Sequence, residues 1–590
     1  MTEELLISAG GALRPWLPVI AAALPLFAAL LLALIARFRE SRSVILWLAL
    51  IPALVAASLA VSGYRSIEVY PGALLGLRLG LDDIGAAFLL FTSFLWAASG
   101  AYANHYIKGD GSRRRFFFFH LLAMSGNFGV ILAQDIAGFY MFFALLTFSA
   151  YALVIHDGTG AALRAGRVYI AMAVLGEALL AIAFFLAADA AGGLTDLSII
   201  PSVVASGTYR DLIIALLISG FGIKAGMVVL HVWLPLAHPV APVPASALLS
   251  GAMIKAGLLG WIRFLPLGEA ALPEWGWLLM GAGLSGAFFG AIAGSLQEDK
   301  KTVLAYSSVS QMGVMAAALG IALVAPDAWP GVLAAVLILA AHHAFAKGAL
   351  FLSTGIPMPG RHRAPARALF LTGVLLPALA LAGAPFTTGV MAKSALKESL
   401  SFLPADGGPA MEVMLLLSSI ATSVIMARFV VVMLRTESPH AGGSLARPGL
   451  VLPWAALVAL APAVLFALYR ESSAVLNPSV QSVAASVYPV MAGVLAYAIM
   501  AILARRTAFR ISVPPGDLLV IMVLLLGAAR RALTGIPSAL SIGPGRAAAR
   551  TAGLNEALTS TLERLEARFL DGLGWLLFLA IAAGLALIFY

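Results

Sequence analysis

The sequence contains no cysteine. Thiolate-held iron–sulfur clusters and cysteine-built zinc sites are therefore excluded within this chain, and no disulfide speaks for its compartment. Charge is scarce: 11% of the 590 residues are Asp, Glu, Lys or Arg, where an ordinary soluble domain carries roughly 25%. With 61% hydrophobic residues and a mean hydropathy of +0.98, too few polar side chains remain to coat soluble cores. Lipid must be the solvent for most of the chain. No polar linker longer than a loop divides it, so one membrane domain is expected. Lysine is the rarest cation, eight residues beside 29 arginines. The opening MTEELLISAGG has no basic stretch, so a cleaved signal peptide is not expected.

What is present is a succession of apolar stretches. About 20 apolar residues cross a bilayer, and on that ruler spans fall near 15–37, 43–62, 80–104, 116–134, 136–155, 167–190, 211–234 and 240–264. They continue near 275–296, 302–324, 330–354, 368–400, 411–434, 450–469, 484–504 and 571–590. The expected fold is all-α, a polytopic transmembrane helix bundle of about 16 spans. The apolar stretch 515–529 is short and is left open as a crossing.

Alternate loops are rich in arginine and lysine: Arg37, Arg39 and Arg42; Lys108 and Arg113 to Arg115; Arg164 and Arg167; Lys300 and Lys301; Arg361, Arg363 and Arg367. The net charge of +9 thus lies where membrane topology puts it, and no nucleic-acid partner is expected. The positive-inside rule places these loops in the cytoplasm and the N-terminus on the periplasmic side of a bacterial inner membrane. Six arginines between Arg530 and Arg568 accompany apolar residues at helical spacing, which predicts an amphipathic segment on the cytoplasmic face.

Two spans carry helix breakers. SGFGIKAGMVVLHVWLPLAHPVAPVP meets Pro235, Pro239, Pro242 and Pro244, and PALALAGAPFTTGVMAKSALKE meets Gly383 and Pro385. Each carries a lysine, Lys224 and Lys393. Matched broken helices in two halves of a chain point to a transport site.

Lys255 and Lys347 also lie in apolar context, so half of the lysines are deep. A charge at the bilayer centre costs at least ~2.5–3.5 kcal/mol. Arginine stays protonated, whereas a desolvated lysine can lose its proton. The pattern therefore marks a proton or cation conductor. His231 and His238 follow Lys224 at steps of seven, and His343 stands four residues before Lys347, on one helix face. Histidine relays protons near neutrality. No carboxylate sits at ligand spacing, so neither a metal nor a cofactor is expected. Glu177 is the single acid at mid-membrane depth, a counter-charge for a buried lysine. GAGLSG at 281–286 has the letters of a dinucleotide fingerprint but lies inside a span with no strand before it. Gly286, Gly290 and Gly294 continue it at four-residue spacing, as tight helix packing does.

HVWLPLAHPVAPVPASALLSGAMIKAG, LQEDKKTVLAYSSVSQMG, HHAFAKGALFL and GAPFTTGVMAKSAL together resemble the antiporter-like subunits of respiratory complex I, multi-subunit Na+/H+ antiporters and membrane-bound hydrogenases. The likeness covers roughly residues 80 to 435. It is nearest to complex I subunit 5-like and large hydrogenase-4 members. It implies two inverted five-helix repeats with broken helices, at 111–265 and 270–435, between N-terminal helices 1–110 and C-terminal helices 450–590. By resemblance Lys224 is the first-repeat lysine, Lys255, Lys347 and His343 connect the halves, and Lys393 is the second-repeat site.

The chain departs from the family in its fifth span. FYMFFALLTFSAY puts Ala144 where the pattern FYxFWELMTLxSY has glutamate, and Ser250 stands where some members have histidine. Glu177 matches a position where some members have an acid in the sixth span. The resemblance implies a proton- or cation-translocating membrane subunit, without catalytic chemistry of its own, of a complex I-like oxidoreductase or membrane-bound hydrogenase. Other membrane subunits and redox-active peripheral subunits would be its partners. The alternatives are a subunit of a multi-subunit Na+/H+ antiporter, or the membrane partner in an inorganic-carbon uptake complex.

Overall fold

The computed structural model describes residues 14–34, 41–74, 76–360, 363–435, 448–468 and 480–506. Thirteen of its helices are long and apolar enough to cross a membrane, and the chain is a polytopic all-α bundle. At 1.5 Å per residue, a helix such as Arg42–Val61 is about 30 Å long, the thickness of the hydrocarbon core. Inside lipid only a helix satisfies every backbone group, so long apolar runs have little choice. Two expected crossings fall short of that count. One is split into Arg210–Ala225 and Trp233–Val240, and the other is the shorter apolar helix Pro448–Val464. The expectations for 515–529, 530–568 and 571–590 lie outside the described residues.

Helix starts are fixed by acids and hydroxyls at the ends of the spans. Asp82 accepts from Gly85 N at 2.8 Å, Asp135 from Gly138 N at 2.8 Å and Asp299 from Thr302 N at 2.8 Å. Each satisfies a backbone donor that the first helical turn leaves unpaired. The one extramembrane sheet among the described residues is a hairpin. Strands Ser66–Tyr70 and Leu77–Leu81 pair antiparallel, Ser66 opposite Leu81. It is tied down by an ion pair from Arg78 to Asp196.

The most enclosed spans are Val243–Phe264, Lys300–Val324, Pro326–Ser353 and Gly111–Leu132, with less enclosed helices around them. Helix Pro273–Ser295 lies directly on Lys300–Val324. A methyl added at Gly276, Gly283 or Gly290 would stand 2.7 Å or less from the backbone of residues 306–320. The tight seam therefore runs at seven-residue spacing, two helical turns, which keeps one face on a partner helix. Gly294 is tight too, against Tyr306 and Ile425, whereas Gly286 has room, its nearest neighbour Val228 at 3.5 Å. The expected four-residue glycine ladder is corrected to this seam, because Gly286 turns to another neighbour.

Both interruptions end on a left-handed glycine. Helix Arg210–Ala225 stops at Gly226 with φ +74°, and Ala364–Ala382 stops at Gly383 with φ +83°. The first break thus precedes Pro235, which sits in the first turn of Trp233–Val240. Pro242 and Pro244 open the next helix, where a missing N–H costs nothing.

Candidate functional site: a buried chain of amines and imidazoles

The first lysine lies in the last turn before the Gly226 break. Lys224 Nζ donates to Thr147 Oγ1 at 3.0 Å. It also stands 5.3 Å from the Phe143 ring centre and 6.0 Å from that of Tyr169, within cation–π range. Thr147 belongs to helix Ile136–Val154, and its hydroxyl donates to Phe143 O at 2.9 Å. Glu177, on helix Gly160–Ala190, is buried, and its Oε1 has no hydrogen-bond partner. Glu177, Thr147 and Lys224 line one small cavity with Phe143, Tyr169 and Trp233. The structure thus brings Glu177 to Lys224 as the sequence led one to expect, but with Thr147 as the amine's direct partner.

The second lysine follows a wide π turn at Leu249–Met253, a feature common at functional sites. Lys255 Nζ donates to Ser250 O at 2.7 Å and meets His343 Nδ1 at 2.5 Å. The amine, charged or neutral, can donate to a bare Nδ1, and a protonated Nδ1 can donate to a neutral amine, so the contact survives either protonation state. Ser250 bonds Ser308 through their hydroxyls at 2.7 Å. Helices Arg210–Ala225 and Lys255–Phe264 touch at Gly257, where a methyl would stand 2.8 Å from Ala225 N. Lys224 and Lys255 therefore flank one helix crossing.

Lys347 is fully buried one turn beyond His343. It donates to Leu304 O at 2.6 Å and to the Ser307 hydroxyl, and lies close enough to Lys255 for their charges to interact. His238 stacks on Phe351 with ring centres 4.5 Å apart, within electrostatic reach of Lys301 and Lys347. His231 packs edge-on to Phe289 at 5.2 Å. The two histidines face different neighbours because His238 lies within helix Trp233–Val240 and His231 precedes it, and the turn at Gly226 and Val229 takes both off the face of Lys224.

Lys393 lies beyond the second break, on half-helix Thr388–Glu398, and its Nζ reaches back to Ala382 O at 3.0 Å. It thus rests, like Lys224, at the C-terminal end of the helix before the break, where the helix dipole favours a cation. Unlike the other three it is only half-buried, because this half-helix lies at the rim of the bundle with Ser394, Lys397 and Glu398 exposed. His342, which the sequence pattern had not singled out, meets Thr388 Oγ1 through Nδ1 at 2.7 Å. Its signal was its place beside His343. No group of three or more potential metal-ligating side chains occurs among the described residues.

Fold and site define a polytopic membrane protein that holds titratable amines and imidazoles inside the bilayer. Residues 133–436, just over half of the chain, match the family described as NADH:quinone oxidoreductase/Mrp antiporter, transmembrane, and the chain belongs to that family. It is 33% identical over 290 residues to hydrogenase-4 component B of Escherichia coli (strain K12), covering 47% of this chain and 43% of that one. It is 29% identical over 392 residues to NADH-quinone oxidoreductase subunit N of Desulforudis audaxviator, covering 63% and 76%. To a putative antiporter subunit of Staphylococcus aureus it is 30% identical over 353 residues, covering 55% and 43%. The chain spans about half the length of the hydrogenase and antiporter relatives it matches. It shares its fold with the Mrp complex from Dietzia sp. DQ12-45-1b, at TM-score 0.71, 23% identity and coverage of 92% of this chain and 62% of that one. It shares it likewise with the membrane-bound sulfane sulfur reductase, an archaeal respiratory membrane complex, at TM-score 0.69, 20% identity and coverage of 92% and 99%.

Proposed function

We propose that this chain conducts protons along Glu177, Lys224, Lys255, His343, Lys347 and Lys393, with His231 and His238 beside the path, as a membrane subunit of a redox-linked complex. One observation carries the reading. All four amines are held by uncharged acceptors: a hydroxyl at Lys224, carbonyls at Lys255, Lys347 and Lys393, and an imidazole nitrogen at Lys255. Such partners bind both forms of an amine, so its proton can leave without breaking a direct ion pair. The chain has no cysteine to hold a thiolate-bound iron–sulfur cluster, so a peripheral subunit would carry the electron transfer.

By the same reading the membrane is a bacterial inner membrane, the N-terminus periplasmic and the arginine-rich loops cytoplasmic. A second reading, a subunit of a multi-subunit Na+/H+ antiporter, is favoured by the likeness to the staphylococcal antiporter subunit. Proton flux in liposomes separates the two: a redox-linked conductor moves protons regardless of sodium, whereas an antiporter subunit requires a sodium gradient.

A further inference from the structure

His342 and His343 are consecutive on helix Trp329–Ser353, so their side chains diverge by about 100°. His343 turns to Lys255, while His342 turns to the half-helix that carries Lys393. Its Nδ1 is at Thr388, the first residue of that half-helix. Its Nε2 faces the interruption: a methyl at Gly389 would stand 3.3 Å from Nε2 and 1.7 Å from Ala380 O. Lys393 Nζ is anchored at the same interruption, on Ala382 O. His342 is buried and lies within electrostatic reach of both Lys393 and Lys255.

We propose that His342 hands protons between the central Lys255–His343 pair and Lys393, a deduction that rests on the conduction proposed above. An imidazole is suited to the step because it takes a proton at one nitrogen and releases another from the second. A proton arriving from the Lys255–His343 side makes the ring an imidazolium, and loss of the proton facing the break delivers it to neutral Lys393. The ring is then neutral with its proton on Nδ1, where it donates to the Thr388 hydroxyl, and a flip of the ring presents a bare nitrogen for the next proton. Only N–H bonds change. A plain tie between helices would need the hydrogen bond to Thr388 and nothing more.

The test uses the full chain, purified by an affinity tag with whatever membrane partners accompany it, in liposomes holding a pH dye. A potassium gradient with valinomycin sets the voltage, and the initial rate of proton movement is read. His342→Gln keeps a hydrogen-bonding group at Thr388 but cannot carry a proton. Its flux should fall fivefold or more at unchanged recovery, and His342→Glu, again titratable, should regain at least a third of the wild-type rate. Should His342→Gln not assemble, Thr388→Val reads the same link, losing flux fivefold or more where Thr388→Ser does not. A loss under fivefold in His342→Gln, with Lys224→Ala blocked alongside, overturns the role of His342 and leaves conduction standing. Normal flux in Lys224→Ala as well overturns conduction itself.

Discussion

The Lys224 ammonium and the Thr147 hydroxyl join helices Arg210–Ala225 and Ile136–Val154 through a 3.0 Å hydrogen bond. Thr147 sits one turn from Ala144, where the resemblance leads one to expect a fifth-span glutamate. The hydroxyl accepts from Lys224, donates to Phe143 O, and lines one cavity with that amine and the acid Glu177 of helix Gly160–Ala190.

Thr147→Val keeps the shape and removes the hydroxyl. Voltage-driven proton flux should fall about tenfold, equivalent to ~1.4 kcal/mol on the limiting step. Thr147→Ser should stay within threefold of wild type. Equal rates in all three proteins would show that the hydroxyl is only packing.

Glu177→Gln leaves Lys224 without its nearest acid and should lower flux tenfold or more at unchanged membrane yield. Ala144 is half-buried and lies outside the cavity lining, 60° around the helix from Thr147 on ideal geometry. Ala144→Glu in the Glu177→Gln background should therefore recover part of the activity, the longer side chain reaching the amine from one turn away. Near-normal flux in Glu177→Gln alone would make the acid a helix tie.

Much of this was legible beforehand. Apolar runs located the membrane-length helices, since a bilayer leaves a long apolar stretch one option, but the stretch 368–400 holds a helix that ends at Ala382 and 211–234 is split. The four deep lysines stood out because each is costly in lipid and so is not there by drift. Thr147 and His342 did not stand out. A threonine in an apolar helix usually bonds its own backbone, as this one also does, and only the crossing of three helices brings Lys224 and Glu177 to it. Lys300 looks solvated in its loop, yet it donates to Thr354 O at 2.5 Å and is half-buried, which makes it a poor control for the deep lysines. Lys108, which is exposed, is the better control.

Ser112 is exposed in the first turn of helix Asp110–Leu132, beside Arg113. Since the chain has no cysteine, Ser112→Cys can be labelled without background. An impermeant maleimide should react with it in inverted vesicles and not in intact cells. Labelling in intact cells would reverse the proposed orientation.

At the far end of helix Lys255–Phe264, Arg263 donates from two nitrogens to the Asp82 carboxylate. Burial alone would raise the pKa of Asp82, but Arg263 and the Gly85 N–H outweigh it and hold the carboxyl below its usual range. A lowered pKa contributes stability that is present above the unfolded value, about 3.9, and lost as pH falls through the folded one. Asp82→Asn should therefore cost about 1 kcal/mol at pH 7, a figure kept small because Asp82 is about a third exposed. The deficit should shrink as pH falls below 4. A deficit independent of pH, read by thermal unfolding in detergent, would place the effect in packing.

Proton flux of Lys224→Ala and Lys393→Ala, read in liposomes beside Lys108→Ala, tests conduction most directly. Each core substitution removes the amine held at a helix break, so each should insert normally and lose flux tenfold or more, while Lys108→Ala conducts like wild type. Wild-type flux in both core variants would contradict conduction through the buried amines.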